Sequence, residues 1–336
     1  MAETAAKITI LGLDLIGTSI GLSLRKNAGN YQVIGHDREP SRMNLAKKQG
    51  GVDNSTWNLH RACDNASLVI ITEPLVEMSD TLQHIHEDLA EDAVVFSIGP
   101  VMQPALKVAA DNLSESINFV VGRPVHNDTG SQPEPRSDYF DECTFCIGSA
   151  PRTSSSALEL VSNLLTRLGA KPLYIDPVEH DGIAAAVEQL PELLAAALFQ
   201  IAYGASGWNE SQKLAGRRFA RSTTLDAIPE EQAAALFSNR DALLQRLDQF
   251  SALLESWRTY LTAEDAKPLE EQLEGLFEGR AKWERDAKLR DWDRPQEESA
   301  RPEIGGLGQM LFGSYLVNRA KQRDPGRGNR DKPGRR

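Results

Sequence analysis

Between residues 7 and 175 the chain alternates two hydrophobic periods. Short apolar, largely β-branched runs at 7–11, 31–35, 67–72, 93–97, 117–121, 140–148 and 171–175 read as strands. Most are separated by stretches with apolar residues three and four apart, at 18–26, 41–49, 79–89, 104–112 and 154–168, which read as helices. Strand and helix in alternation predict a parallel, doubly wound α/β sheet that binds ligands outside the strands' carboxyl ends. Residues 129–137 form a Gly/Ser/Pro loop with no period.

The alternation ends at Asp176-Pro177, and almost everything beyond has the helical period. Residues 178–203 are apolar on nearly every face, and a helix of that kind must be buried. One small helical domain rarely wraps such a helix, so a second copy of the chain is expected to cover it, making a homodimer. Glu188, Pro191 and Glu192 interrupt it too often for a membrane span. A long amphipathic helix follows at 231–261 and a heavily charged one at 270–291. Residues 304–317 are Gly-rich and apolar and read as a docking segment. The expected division is therefore 1–176, an α/β domain; 177–295, a helical domain; and 296–336, the apolar segment with a basic, disordered tail.

Composition narrows the function classes. A chain of 336 residues exceeds what a single core usually holds, in keeping with two domains. The net charge of −11 argues against a nucleic-acid partner, although residues 316–336 carry eight Lys or Arg against Asp324 and Asp331. No signal-peptide pattern opens the chain, and a cytoplasmic location is expected. Cys63, Cys143 and Cys146 are too few for a disulfide framework, and the one CxxC has no second ligand pair for a metal.

The candidate chemistry begins at the first strand. Gly12-Leu13-Asp14-Leu15-Ile16-Gly17 nearly matches the G-x-G-x-x-G turn of a dinucleotide-binding, Rossmann-like domain, but a carboxylate stands at the middle glycine. In that turn the middle glycine lets the backbone approach a pyrophosphate at the helix N-terminus. Asp14 is tolerable there if its side chain turns to solvent. Asp37, twenty residues after Gly17, stands where an acid binds an adenosine ribose, which favours NAD, although Arg38 and Arg42 are placed to take the extra phosphate of NADP. Pro74 ends the third apolar strand and starts a loop at its carboxyl end.

Taken together, these pieces resemble the prephenate/arogenate dehydrogenase family of tyrosine biosynthesis over about residues 7–261. The resemblance rests on the glycine turn, on Val33-Ile34-Gly35-His36-Asp37 and on Val69-Ile70-Ile71-Thr72-Glu73-Pro74. It continues through His180-Asp181, Gln189-Leu190-Pro191, Arg217, Arg221 and Ser238-Asn239-Arg240. It implies a dinucleotide-binding domain followed by a helical dimerisation domain, and NAD(P)-dependent oxidative decarboxylation of a small anionic substrate. The cofactor-binding residues it implies are Gly12, Asp14, Leu15, Ile16, Gly17, Asp37 and Pro74, with Arg217 and Arg221 binding the substrate carboxylate.

The chain departs from the family pattern at the chemistry. Arg123 takes the place of the family's catalytic histidine, and His126 is the nearest replacement base. Pro100 stands for a serine that supports the substrate hydroxyl, and the family's S-H-L-P-H reads Glu188-Gln189-Leu190-Pro191-Glu192. A permanently charged guanidinium accepts no proton, but it binds carboxylates well. Two principal readings follow: an active dehydrogenase with His126 and Arg123 at its catalytic centre, or a silent homologue acting as a binding or regulatory dimer. A different reaction on another small acid held by Arg123, Arg217 and Arg221 is a third.

Overall fold

The computed structural model describes residues 5–26, 29–125, 134–225 and 228–289. The strands are β1 (Ala6–Leu11), β2 (Tyr31–His36), β3 (Asn54–Ser55), β4 (Leu68–Ile71), β5 (Val94–Ile98), β6 (Asn118–Val125), β7 (Thr144–Ser149) and β8 (Lys171–Tyr174). They form one sheet in the order β3-β2-β1-β4-β5-β6-β7-β8. The helices among them are α1 (Leu15–Lys26), α2 (Pro40–Gln49), α3 (Leu59–Cys63), α4 (Leu75–Ile85), α5 (Gln103–Asn112) and α6 (Ser155–Arg167).

Strands β1 to β6 are parallel, and their order reverses between β1 and β4, the switch point at which doubly wound sheets open a ligand crevice. The central strand β4 is apolar and buried at every position because both faces of the sheet are covered. Ile8, Ile10, Val33, Ile70 and Phe96 join the core shared with α1, α2 and α6, while Leu11, Val69, Ile71 and Val95 join the one shared with α4 and α5. The parallel, doubly wound sheet has one antiparallel pairing, β7 against β6, with Arg123 opposite Cys146. A parallel return needs a crossover of a dozen or more residues, usually a helix, and no helix appears among the described residues between these strands.

Beyond β8, Asp176 caps α7 (Pro177–Ala184) by accepting the Val178 and Glu179 amides at 2.9 and 3.1 Å. The expected single helix is then broken: residues Ala185–Gln189 widen into a π-turn before α8 (Leu190–Tyr203). Pro191 explains the widening, since it has no N–H to give the Val187 carbonyl and its ring crowds that carbonyl in an α-helix. Helices α9 (Trp208–Leu214), α10 (Arg217–Ser222), α11 (Pro229–Ser238), α12 (Arg240–Thr262) and α13 (Lys267–Leu289) follow. The helix expected at 231–261 is thus two, broken at Asn239, whose side chain turns into a buried network rather than to solvent.

By packing, the chain divides into Met1–Leu254 and Glu255–Arg336. The apolar helix expected to be buried is not buried by its own chain: no residue of α8 is, and Val187, Leu198 and Ile201 stand 64%, 44% and 75% exposed. By length and composition alone, Pro177–Tyr203 is also apolar enough to cross a membrane. His126, the loop around it, the apolar segment at 304–317 and the basic tail lie outside the described residues.

Candidate active site at the carboxyl edge of the sheet

The glycine turn sits at the switch point. Gly12 has φ +90°, and a Cβ there would come within 2.6 Å of the Thr72 hydroxyl and 3.1 Å of the Glu73 amide. At Gly17 a Cβ would fall 2.0 Å from the Gly12 carbonyl, so β1 and α1 approach as closely as this only with glycine at that position. Asp14, rather than turning to solvent, turns inward. Its Oδ1 accepts the Gly17 amide at 2.9 Å and lies 3.2 Å from the Thr72 hydroxyl, making it the N-cap of α1. Leu15 and Ile16 form the first turn of that helix, half-buried. Burial pushes the Asp14 carboxyl above the usual carboxylate range, against the pull of those hydrogen bonds.

Two more acids flank the turn. Asp37 is buried, its Oδ2 accepting the Leu13 amide at 2.7 Å and its Oδ1 the Glu39 amide at 2.8 Å, so it ties the glycine turn to the start of α2. Glu73 precedes Pro74 at the end of β4; burial raises its carboxyl too, and the Thr81 hydroxyl donates to it at 2.7 Å. Pro74 stands at the N-cap position of α4, directly after β4 and the Thr72 and Glu73 that face Gly12. Arg38 is held by Asp80 at 2.8 Å and Glu77 at 3.6 Å, and Arg42 by Glu39 at 3.2 Å, so both cations beside Asp37 already face carboxylates.

At the end of β6, Arg123 forms an ion pair with Glu188 of the π-turn, which places the two charged replacements against each other. Both are partly exposed, and the buried Arg123 Nε has no hydrogen-bond partner among the described residues. Burial and the neighbouring Glu188 raise the Glu192 carboxyl. Opposite charges appearing together at two positions was a readable sign of this pairing, but nothing local in the sequence joins positions 65 residues apart.

Next to Glu188 in the chain, Gln189 belongs to a buried network whose partners lie far apart in the sequence. The buried Asp181 accepts the Met102 and Gln103 amides at 2.7 and 2.8 Å, capping α5, and its Oδ1 lies 2.9 Å from His180 Nδ1. Asn239 donates to the Asp181 carbonyl at 2.9 Å and to Gln189 Oε1 at 2.8 Å. His180, Asp181, Gln189 and Asn239 thus clamp the helical region to the sheet edge.

Arg217 and Arg221 stand one turn apart on α10. With Arg218 and Ser222 they line an open depression of about 480 Å³. Neither arginine forms an ion pair with an acid among the described residues. Phe219 from the same helix packs into an aromatic group with Phe199 and Trp208, which anchors α10 to α8.

Comparison with known proteins agrees with the fold, an α/β domain followed by helices. Residues 20–174 match the family model "Prephenate dehydrogenase, nucleotide-binding domain" and residues 176–275 match "Prephenate dehydrogenase, dimerization domain". The chain is 26% identical over 273 residues to the prephenate dehydrogenase of Bacillus subtilis, covering 80% of this chain and 74% of that protein. It is 23% identical to the cyclohexadienyl dehydrogenase of Zymomonas mobilis, covering 84% and 98%. The fold superposes on the prephenate dehydrogenase of A. aeolicus, solved in complex with hydroxyphenyl propionate and NAD+, with a TM-score of 0.74 at 20% identity, covering 84% of this chain and 99% of that one. For Synechocystis arogenate dehydrogenase the TM-score is 0.68 at 23% identity, covering 82% and 99%. With both of the family's domains matched in order over most of its length, the chain belongs to the prephenate dehydrogenase family.

Proposed function

We propose that this protein acts on prephenate, arogenate or a closely similar small cyclic acid, with NAD or NADP as oxidant, in the oxidative decarboxylation typical of its family. The observation that carries the substrate half is the α10 depression. Three guanidinium groups stand together on one short helix, exposed and unpaired with acids among the described residues, and guanidinium forks bind carboxylates bidentately. When bound, the nicotinamide supplies the hydride acceptor; the chain's own residues hold and orient the acid. Arg217 and Arg221 take its carboxylate, Arg123 lends positive charge at the sheet edge, and His126 is the base candidate. Arg221→Ala is expected to raise KM for prephenate or arogenate about 10- to 100-fold, the worth of one hydrogen bond to a charged group, with cofactor affinity unchanged. Steady-state kinetics alongside a dinucleotide titration checks this, and an unaltered KM removes the residue from the substrate site.

A second reading, a silent homologue serving as a binding or regulatory dimer, is favoured by the Arg123–Glu188 pair, which fills the sheet edge with charges satisfied by each other. Formation of reduced nicotinamide from prephenate or arogenate decides between the two: none, with the dinucleotide bound, supports the silent reading.

Both readings share a homodimer in the cytoplasm. The support is the exposed apolar face of Val187, Leu198 and Ile201 within the region that matches a dimerization domain. Sedimentation equilibrium at micromolar protein is expected to give a dimer, and Ile201→Glu a monomer, because a charge buried without a partner in such a face is costly. A monomeric wild-type protein overturns it.

A further inference from the structure

Asp14 occupies the place to which the charge of a dinucleotide has to come. A helix N-terminus attracts a phosphate through its free amides and its dipole. Here the amide of Gly17 is already turned to an anion of the chain itself, at 2.9 Å, and the Thr72 hydroxyl lies 3.2 Å from the same oxygen. The backbone of the turn fits a dinucleotide, since Gly12 and Gly17 allow the close approach of β1, α1 and the end of β4. The Asp14 side chain in its charged form does not fit one.

Resting on the dinucleotide part of the reading above, we propose that Asp14 is a built-in stand-in for the dinucleotide phosphate: NAD+ binds only to the form in which Asp14 is protonated, so binding takes up one proton. The groups around it make a neutral form accessible. Burial is the largest influence on the carboxyl and raises it; the Gly17 amide, the Thr72 hydroxyl and the Ile16 amide pull it back, and Arg42 from α2 does so least. The other titratable groups about the turn are Tyr139, which precedes β7, Asp37 at the end of β2 and Glu73 at the end of β4. None of these acids offers a countercharge to a phosphate. Protonation leaves the cap in place, because the carbonyl oxygen of a neutral carboxyl still accepts the Gly17 N–H. Asparagine does the same without charge and is as good an N-cap.

The test is calorimetric titration with NAD+ from mildly acidic to mildly alkaline pH, in pairs of buffers of different ionisation enthalpy, which counts the protons taken up. NAD+ is the probe because none of its groups titrates near neutrality. Above the carboxyl's own titration the wild-type protein is expected to take up close to one proton, its affinity falling about tenfold per pH unit. Asp14→Asn is expected to bind without proton uptake, with a flat pH profile, and at alkaline pH at least about tenfold more tightly than the wild type. Wild-type binding without proton uptake, or an asparagine variant that keeps the wild-type pH profile, overturns the proposal and leaves the dinucleotide reading standing. Binding of neither NAD+ nor NADP+ by either protein overturns both. If the variant fails to fold, the wild-type proton count decides by itself.

Discussion

Asp181→Ala is expected to destabilise the folded protein by about 3–5 kcal/mol, the usual consequence of removing one partner from a buried charged network. The carboxylate is almost wholly buried and satisfies the amides of Met102 and Gln103 together with the His180 ring. Alanine would leave those donors without an acceptor in a site that water does not reach, and each orphaned buried group costs roughly 1–3 kcal/mol. It would also uncap α5, the helix that follows β5 into the sheet edge. Asp181→Asn keeps an acceptor oxygen and should lose less. Denaturant unfolding measures both, and a change within about 1 kcal/mol for the alanine variant would show that the network is not holding the helical region to the sheet.

Gly17→Ala is expected to cost about 3 kcal/mol, the upper end for overpacking, and to abolish dinucleotide binding. The added methyl would fall 2.0 Å from the Gly12 carbonyl oxygen, a backbone atom with little room to yield because Gly12 is itself pressed against Thr72 and Glu73. The turn would have to open by more than an ångström, carrying Asp14 and the first turn of α1 away from β4. Gly279→Ala in α13 is the matching control, since a Cβ there meets nothing within 4 Å. That change should raise stability by up to about 1 kcal/mol through helix propensity. Thermal melts and NAD+ titration of the two variants check the contrast, and equal behaviour would mean the turn is looser than its contacts imply.

The sheet was legible where its information is local. Leu68 to Ile71 are apolar on consecutive positions, as are Ile10 and Leu11, and the cores on both faces of the sheet use alternate members of each run. The glycine turn was equally legible, and so was the cap: Asp14 stands directly before the first helical residue with Gly17 three positions on, the spacing of an N-cap to its amide. The same residue is also the departure from the dinucleotide motif, tolerable in that reading only if its side chain turns to solvent, which it does not. Pro191 was legible as an interruption of the apolar helix, but the π-turn it produces was not, nor was its consequence, because presenting Glu188 to Arg123 depends on where β6 ends.

The sequence by itself determined the α/β region, the helical region after it, the glycine turn and the one-turn spacing of Arg217 and Arg221. Each of these is written in periods and spacings of a few residues, which set backbone conformation before any distant contact forms. Only the tertiary structure decided the antiparallel β7, the Arg123–Glu188 pair, the Asp181 clamp and the uncovered face of α8. Those depend on groups brought together from far along the chain, or on surface left over once the chain has packed. The turn around Asp14 belongs to both. Its residues announce a phosphate cradle, and the fold shows that the chain has placed its own carboxyl in it.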